Sequence, residues 1–145
     1  MTDESPAMVG IVVVSHSGEL AEATVNLVRQ LANLADDGPR LVAAGGLADG
    51  AIGTDAVRIG DAIAQADAGS GVVIVADLGS AVLAAGTAID ELLPAEVAAR
   101  TVISRGPLVE GAFVAAVQAS AGDGLDGVRS AADEAGSIDK LGDRG

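Results

Sequence analysis

The chain alternates short, strictly aliphatic segments with longer segments rich in alanine, and this alternation restricts its fold more than any other feature. Val9–Val14 and Gly71–Ala76 are the clearest apolar runs, and Arg40–Ala44 and Arg100–Ser104 are weaker ones. Continuous apolar runs of this length are typical of parallel strands that are buried on both faces. The segments between them carry apolar residues at helical spacings, so the predicted order of elements is βαβαβαβαα.

This order predicts an α/β domain in which right-handed helical crossovers connect the strands. We expect a flavodoxin-like, doubly wound and mainly parallel sheet in strand order 2-1-3-4, with helices on both faces. The predicted single domain covers residues 9–135. Residues 1–8 are expected to form a flexible N-terminal extension, and residues 136–145 a flexible tail.

Local signals predict where the helices begin and which faces they bury. Thr54 is the predicted N-cap of the second helix and Ser80 that of the third. Pro107 is expected at the first position of a helix that continues through Leu108–Ala121. The apolar stripe of the first helix consists of Leu20, Ala23, Leu27, Leu31 and Leu34.

Composition excludes several classes of function. The chain has no cysteine, a single histidine, and 21 acidic against 8 basic residues, which gives a net charge of −13. It therefore has no disulfide framework, thiolate nucleophile or cysteine-based zinc site, and we expect no metal and no cofactor. A nucleic-acid surface is also excluded, because there is no cluster of basic residues and Phe113 is the only aromatic side chain.

The sequence predicts a cytoplasmic protein with no membrane segment. Its apolar runs are far shorter than the roughly 20 residues of a spanning helix. Its first residues are acidic and polar, unlike the basic start of a signal peptide. Nucleotide motifs are missing as well: no Gly-Lys-Ser/Thr turn occurs, and no G-x-G-x-x-G follows the first strand.

Two polar residues follow the two strongest strands, where parallel sheets place their chemistry. His16 comes after the first strand and Asp77 directly after the third, and these strands are neighbours in the order 2-1-3-4. A carboxylate that accepts a hydrogen bond from one imidazole nitrogen leaves the other nitrogen free to attack. A lone histidine in a turn is often only solvated, and Asp77 could simply cap a helix, so spacing alone leaves both interpretations open.

Glycine-rich turns near these residues offer backbone N–H groups to phosphate oxygens. Tight turns need glycine for conformational reasons too, so this signal is weak by itself. The predicted phosphate-pocket or supporting residues are Ser15, Ser17, Gly45, Gly46, Thr54, Gly79 and Ser80.

Several segments, taken in order, resemble the DhaM subunit of phosphotransferase-system-dependent dihydroxyacetone kinase, which has the mannose-type EIIA fold. The resemblance covers about Val9 to Ala121. The segments are Gly10-Ile-Val-Val-Val-Ser-His16-Ser-Gly-Glu-Leu-Ala-Glu, Ala43-Ala-Gly-Gly, Asp49-Gly-Ala-Ile-Gly-Thr54, Val75-Ala-Asp-Leu-Gly-Ser80 and Pro107-Leu-Val-Glu-Gly-Ala112.

The resemblance implies a homodimer that is phosphorylated on His16, with Asp77 as the acidic partner of the ring. It further implies phosphorylated HPr as the donor, and as acceptor an ADP held on DhaL, which serves dihydroxyacetone bound on DhaK. Two alternatives remain open. One is a mannose-type sugar-transport EIIA that passes phosphate to a EIIB domain, and the other is a non-catalytic α/β interaction module.

Overall fold

The computed structural model describes residues 7–144, which form a parallel four-stranded sheet. The strands are β1 (Gly10–Ser15), β2 (Leu41–Gly45), β3 (Val72–Ala76) and β4 (Thr101–Ile103). They lie in the order β2-β1-β3-β4, and every neighbouring pair is parallel. The predicted fold class and strand order are therefore confirmed. Most of the predicted N-terminal extension, residues 1–6, lies outside the described residues, as does Gly145.

Helices connect the strands and follow the last one. They are α1 (Gly18–Leu31), α2 (Ala56–Ala66), α3 (Gly79–Thr87), α4 (Ala95–Ala98), α5 (Leu108–Ser120) and α6 (Leu125–Glu134). A π-helical turn, Ala88–Leu92, extends α3, and 3-10 turns follow α6 at Ala135–Ser137 and Gly142–Arg144. The four-residue helix α4 was not predicted, because one helical turn is too short to show a period. The predicted flexibility of the tail stays a prediction.

The side chains of β1 divide the core between the two faces of the sheet. Ile11 and Val13 pack with α1, α5 and α6, whereas Val12 and Val14 pack with α2 and α3. All four side chains are fully buried. This double burial explains why the segment is aliphatic without interruption instead of alternating with polar residues.

The buried face of α1 differs from the predicted leucine stripe. The helix turns Ala21, Thr24, Val25 and Val28 toward the core, while the exposed side chains include those of Leu20, Leu27 and Leu31. Two stripes of apolar residues run along this helix, and the smaller side chains are the ones that pack against the sheet. Periodicity alone does not choose between two such stripes.

The end of α1 also comes earlier than predicted. Asn33 has a φ of 50°, in the left-handed region that asparagine adopts more readily than most residues. The N–H of Leu34 donates to the carbonyl of Arg29 at 3.1 Å, which closes the last turn. Leu34 therefore lies beyond the helix.

Three predicted helix starts shift by one or two residues. Asp55, not Thr54, is the N-cap of α2, since its carboxylate accepts the N–H of Val57 at 2.9 Å. Ser80 is the second residue of α3, whose N-cap position is occupied by Leu78. Pro107 is itself the N-cap of α5. The hydroxyl of Ser80 is consequently free for contacts outside its own helix.

Candidate functional site

His16 and Asp77 meet at the carboxyl edge of the sheet. Each follows the end of its strand, and the register pairs Val14 of β1 with Ala76 of β3. The Nδ1 atom of His16 lies 2.9 Å from Oδ1 of Asp77. The side chains are 21% and 14% exposed, respectively, so this pair remains in contact with solvent. The structure thus brings the two residues together, while their catalytic role stays a prediction.

The second oxygen of Asp77 holds the backbone around His16. It accepts the hydroxyl of Ser15 at 2.9 Å and the N–H of His16 at 3.0 Å. The N–H of Ser17 donates to the hydroxyl oxygen of Ser15 at 3.0 Å. Ser15 and Ser17 therefore support the turn, and Ser17 is also the N-cap of α1, accepting the N–H of Leu20.

These contacts determine the charge of Asp77. Partial burial raises its pKa, but the hydrogen bonds from the backbone and ring of His16, from Ser15 and from the N–H of Leu78 outweigh that effect and hold the pKa below its ordinary value of 3.8. The carboxylate is ionised at neutral pH and only accepts hydrogen bonds. Nδ1 of His16 must then carry a proton, which leaves the lone pair of a neutral ring on Nε2.

The Nε2 atom faces the start of α3. Its neighbour is the hydroxyl oxygen of Ser80, at 2.5 Å. With the lone pair on Nε2, the hydroxyl is the donor in this contact. The first turn of a helix favours negative charge, because its N–H groups are not used within the helix. The first turn of α3 would therefore stabilise an anionic group bound to Nε2.

A cleft of about 420 Å³ lies next to the histidine but does not contain it. It is lined by residues that include Ser17, Gly45, Gly46, Ile52 and Arg58. A Cβ atom on Gly45 would lie 2.4 Å from the carbonyl oxygen of Ser17, so this glycine allows β2 to approach the turn that carries His16. Gly45 thus supports the turn that carries the ring, and the phosphate-binding role predicted for Gly45, Gly46 and Gly79 stays a prediction.

Among residues 7–144, the hydrogen bonds of the His16 ring go to Asp77 and Ser80, and Thr54 and Gly79 form none with it. Thr54 precedes the α2 cap and does not line the cleft. A Cβ atom on Gly79 would meet open space, so close packing does not require glycine there. Sequence reasoning missed Gly53, whose N–H donates to the carbonyl of His16 at 2.9 Å. It also missed Arg58, for which the only signal was its place just after a glycine-rich loop.

No group of three or more His, Asp and Glu side chains among residues 7–144 is placed to hold a metal ion. None of the helices found there is both long and apolar enough to cross a membrane.

The family model EIIA-man, described as the PTS system fructose IIA component, matches residues 10–128. The chain belongs to the EIIA-man family. A crystal structure of a protein of unknown function, EF1359, has the same fold, with a TM-score of 0.74 and 32% identity over 88% of this chain and 94% of that one.

Three relatives are named as the phosphoryl donor subunit DhaM of a PEP-dependent dihydroxyacetone kinase. The protein from Klebsiella michiganensis is 43% identical and the one from Escherichia coli 42% identical, each over 83% of this chain. This EIIA-man chain spans only 25% of the length of each. The protein from Listeria innocua is 42% identical over 77% of this chain and 86% of its own length. The resemblance to DhaM noted from the sequence motifs is thus confirmed.

Proposed function

We propose that this chain is a phosphohistidine relay of a dihydroxyacetone kinase system. His16 accepts a phosphoryl group from phosphorylated HPr and transfers it to ADP bound on a DhaL subunit, which serves dihydroxyacetone on DhaK. The observation that supports this most directly is the 2.9 Å contact between Nδ1 of His16 and Asp77, which leaves Nε2 as the nucleophile. The names of the relatives support the choice of kinase system.

The chemistry follows from the protonation state of the ring. In the charging step, the lone pair of Nε2 forms a bond to phosphorus while the bond from phosphorus to the donor nitrogen breaks. The electron pair of the broken bond stays on the donor. The His16 ring gains positive character, which the carboxylate of Asp77 stabilises. In the second step an oxygen of the acceptor attacks phosphorus, and the pair of the Nε2–P bond returns to the ring.

Ser80 and the first turn of α3 supply the surroundings of the phosphoryl group. The Ser80 hydroxyl now donates to Nε2, so phosphorylation requires it to release that nitrogen. The same hydroxyl then lies within reach of a phosphoryl oxygen and is able to donate to it. Phosphoryl transfer depends mainly on such positioning and charge stabilisation.

The surface around His16 suits a protein partner. Three apolar side chains surround the catalytic edge and are strongly exposed: Ile52 at 72%, Leu78 at 64% and Leu83 at 74%. Ile52 lies in the loop whose Gly53 contacts His16, Leu78 follows Asp77, and Leu83 lies one turn beyond Ser80. Exposed apolar groups of this kind are typical of interaction sites. We call these three residues the apolar rim.

The decisive experiment follows the phosphate by intact mass. The protein is incubated with phosphoenolpyruvate, enzyme I and HPr, and the charged protein is then mixed with a DhaL–ADP complex. We expect an acid-labile gain of one phosphate that is absent in His16→Gln and is discharged by DhaL–ADP. The Ser80→Ala variant retains the nucleophile, so we expect it to be labelled, more slowly than the wild type.

Other outcomes contradict the proposal in different ways. A label that forms but is discharged only by a EIIB domain would identify a sugar-transport component. A wild-type protein that takes no label would be an interaction module. The homodimer implied by the family resemblance also stays a prediction, and sedimentation equilibrium of the wild-type protein tests it.

A further inference from the structure

The loop after β4 repeats the hydrogen-bond pattern of the loop that carries His16. In both, a serine hydroxyl and the N–H of the next residue donate to one carboxylate, and the N–H after that donates to the serine oxygen. In the second loop Ser104 donates to Asp133 at 2.6 Å, the N–H of Arg105 to the same oxygen at 2.9 Å, and the N–H of Gly106 to Ser104 at 3.0 Å. Arg105 therefore occupies the position that His16 occupies in the first loop.

Both loops lie at the same edge of the sheet. The N–H of Ser104 continues the pairing of β4 with β3, so Arg105 follows at the level of the last residue of β3. The strands β1 and β4 flank β3, which separates their ends by about 10 Å, or two strand spacings. The His16 ring contacts Asp77 and Ser80. Asp77 follows β3, and Ser80 lies in the first turn of α3. The ring therefore extends from the end of β1 toward the end of β3, which is the direction in which β4 and Arg105 lie.

The hydrogen bonds that fix the loop after β4 do not involve the guanidinium of Arg105. Asp133 accepts from Ser104 and from the backbone of Arg105, and its ion pair is with Arg129 at 3.8 Å. Arg105 is exposed and takes part in none of the ion pairs among residues 7–144. Arg58 is also in none of them, but it lines the cleft on the other side of His16.

We propose that Arg105 binds the phosphate groups of the acceptor nucleotide during transfer from His16. This inference rests on the proposed function and adds a residue that selects the acceptor. When a β-phosphate oxygen of ADP attacks phosphorus, the P–O bond forms as the Nε2–P bond breaks. Only the transferred phosphoryl group leaves the ring, and the α- and β-phosphates remain beside it as additional negative charge. A cation that lies to one side of Nε2, such as the guanidinium of Arg105, suits the binding of these α- and β-phosphates.

The donor step lacks this requirement. The group that leaves in that step is an imidazole, which carries no phosphate of its own after transfer. The acceptor step instead brings a diphosphate close to a phosphorylated ring on a chain whose net charge is −13. Repulsion between these anions raises the barrier unless a cation lies nearby. Arginine binds phosphate through paired N–H groups, which suits this position.

The test compares charging and discharge in Arg105→Gln. We expect discharge by DhaL–ADP to slow about 10- to 100-fold, because the variant loses a charge-assisted hydrogen bond to the nucleotide. Charging by phosphorylated HPr should stay within about twofold of the wild-type rate. Arg105→Lys should recover part of the discharge rate, because it restores charge without the paired N–H groups. The fold should persist, since the backbone N–H that binds Asp133 is present in every variant.

Arg40→Gln is the matched control. It removes the same charge at the opposite edge of the sheet, where Arg40 donates to the carbonyls of Gln65 and Asp67. The inference is overturned if Arg105→Gln discharges at the wild-type rate, if charging and discharge fall equally, or if Arg40→Gln has the same effect. If DhaL–ADP does not discharge the wild-type protein, the proposed function itself is wrong. The wild type alone gives this result, so it is distinguished from a failure of the Arg105 inference.

Discussion

Both carboxylate oxygens of Asp77 hold His16, one through the ring and the other through the backbone. Oδ1 lies 2.9 Å from Nδ1, and Oδ2 accepts the N–H of the same residue at 3.0 Å. The position of the turn and the orientation of the ring therefore depend on one side chain from the neighbouring strand. Because the carboxylate is ionised, it also determines which ring nitrogen carries the proton.

The Asp77→Asn variant should charge more slowly by about 10- to 100-fold, because it replaces a charge-assisted hydrogen bond to the ring by a neutral one. Its amide nitrogen also cannot accept the hydrogen bonds that one oxygen now accepts, so we expect a lower free energy of unfolding. The charging rate with phosphorylated HPr and a urea titration measure the two effects. Charging at the wild-type rate would contradict the role assigned to Asp77.

Stability should be lost in acid, and the lowered carboxyl pKa values determine where. The pKa of Asp67 is held below 3.8 mainly by its hydrogen bonds to Arg100, and the pKa of Asp77 is lowered as well. A group whose pKa is lower in the folded state stabilises the fold above its unfolded pKa and loses that effect as the pH falls through the folded value. The urea midpoint should thus be steady near neutral pH and fall below about pH 4.

Asp67→Asn separates the two contributions. Asp67 lies at the opposite edge of the sheet from His16 and forms a bidentate pair with Arg100, with contacts of 2.6 and 3.0 Å. Because Arg100 is one-third exposed, we expect a cost of only about 1 kcal/mol at pH 7. The acid loss should be smaller in this variant than in the wild type, and charging of His16 should be unchanged. An unaltered acid profile would exclude the pair as a cause.

Glycine substitutions should distinguish close packing from simple turn formation. Gly45→Ala places a Cβ atom 2.4 Å from the backbone oxygen of Ser17, so the turn that carries His16 must shift. We expect lower stability and slower charging. Gly86→Ala is the matched control, because its Cβ atom meets open space inside α3, beyond the first turn, and alanine favours helix. Thermal unfolding and charging rates check both, and equal effects would contradict the packing argument.

The sequence predicts most of the fold and the central pair, for a clear physical reason. Uninterrupted aliphatic strands indicate a parallel sheet, and functional residues of parallel sheets lie at the carboxyl ends of the strands. The sequence alone therefore predicts that His16 and Asp77 lie close together. The sequence predicts Ser80 as a helix cap and as a phosphate-pocket residue, but local patterns do not show its contact with a ring from another strand. The hydrogen bonds from Ser104 and Arg105 to Asp133 connect the loop after β4 with α6. Local sequence patterns do not predict such a tertiary contact.

The buried face of α1 could not be predicted for a related reason. Both an alanine–valine stripe and a leucine stripe fit the helical period. Only the close approach of the helix to the sheet favours the smaller side chains. Hydrophobicity by itself favours the leucines, which are in fact exposed.

The apolar rim gives the last prediction, which concerns docking. Leu83→Asp replaces an exposed leucine one turn beyond Ser80 by a charge, and it should leave the fold intact because the side chain makes little contact with the core. Covering a leucine on binding contributes about 1.5–3 kcal/mol, so kcat/KM for charging should fall about 10- to 100-fold. Leu31→Asp is the control, since it makes the same change on an exposed leucine at the far end of α1. If both variants charge at the wild-type rate, the partner does not cover Leu83, and docking must use another part of the edge around His16.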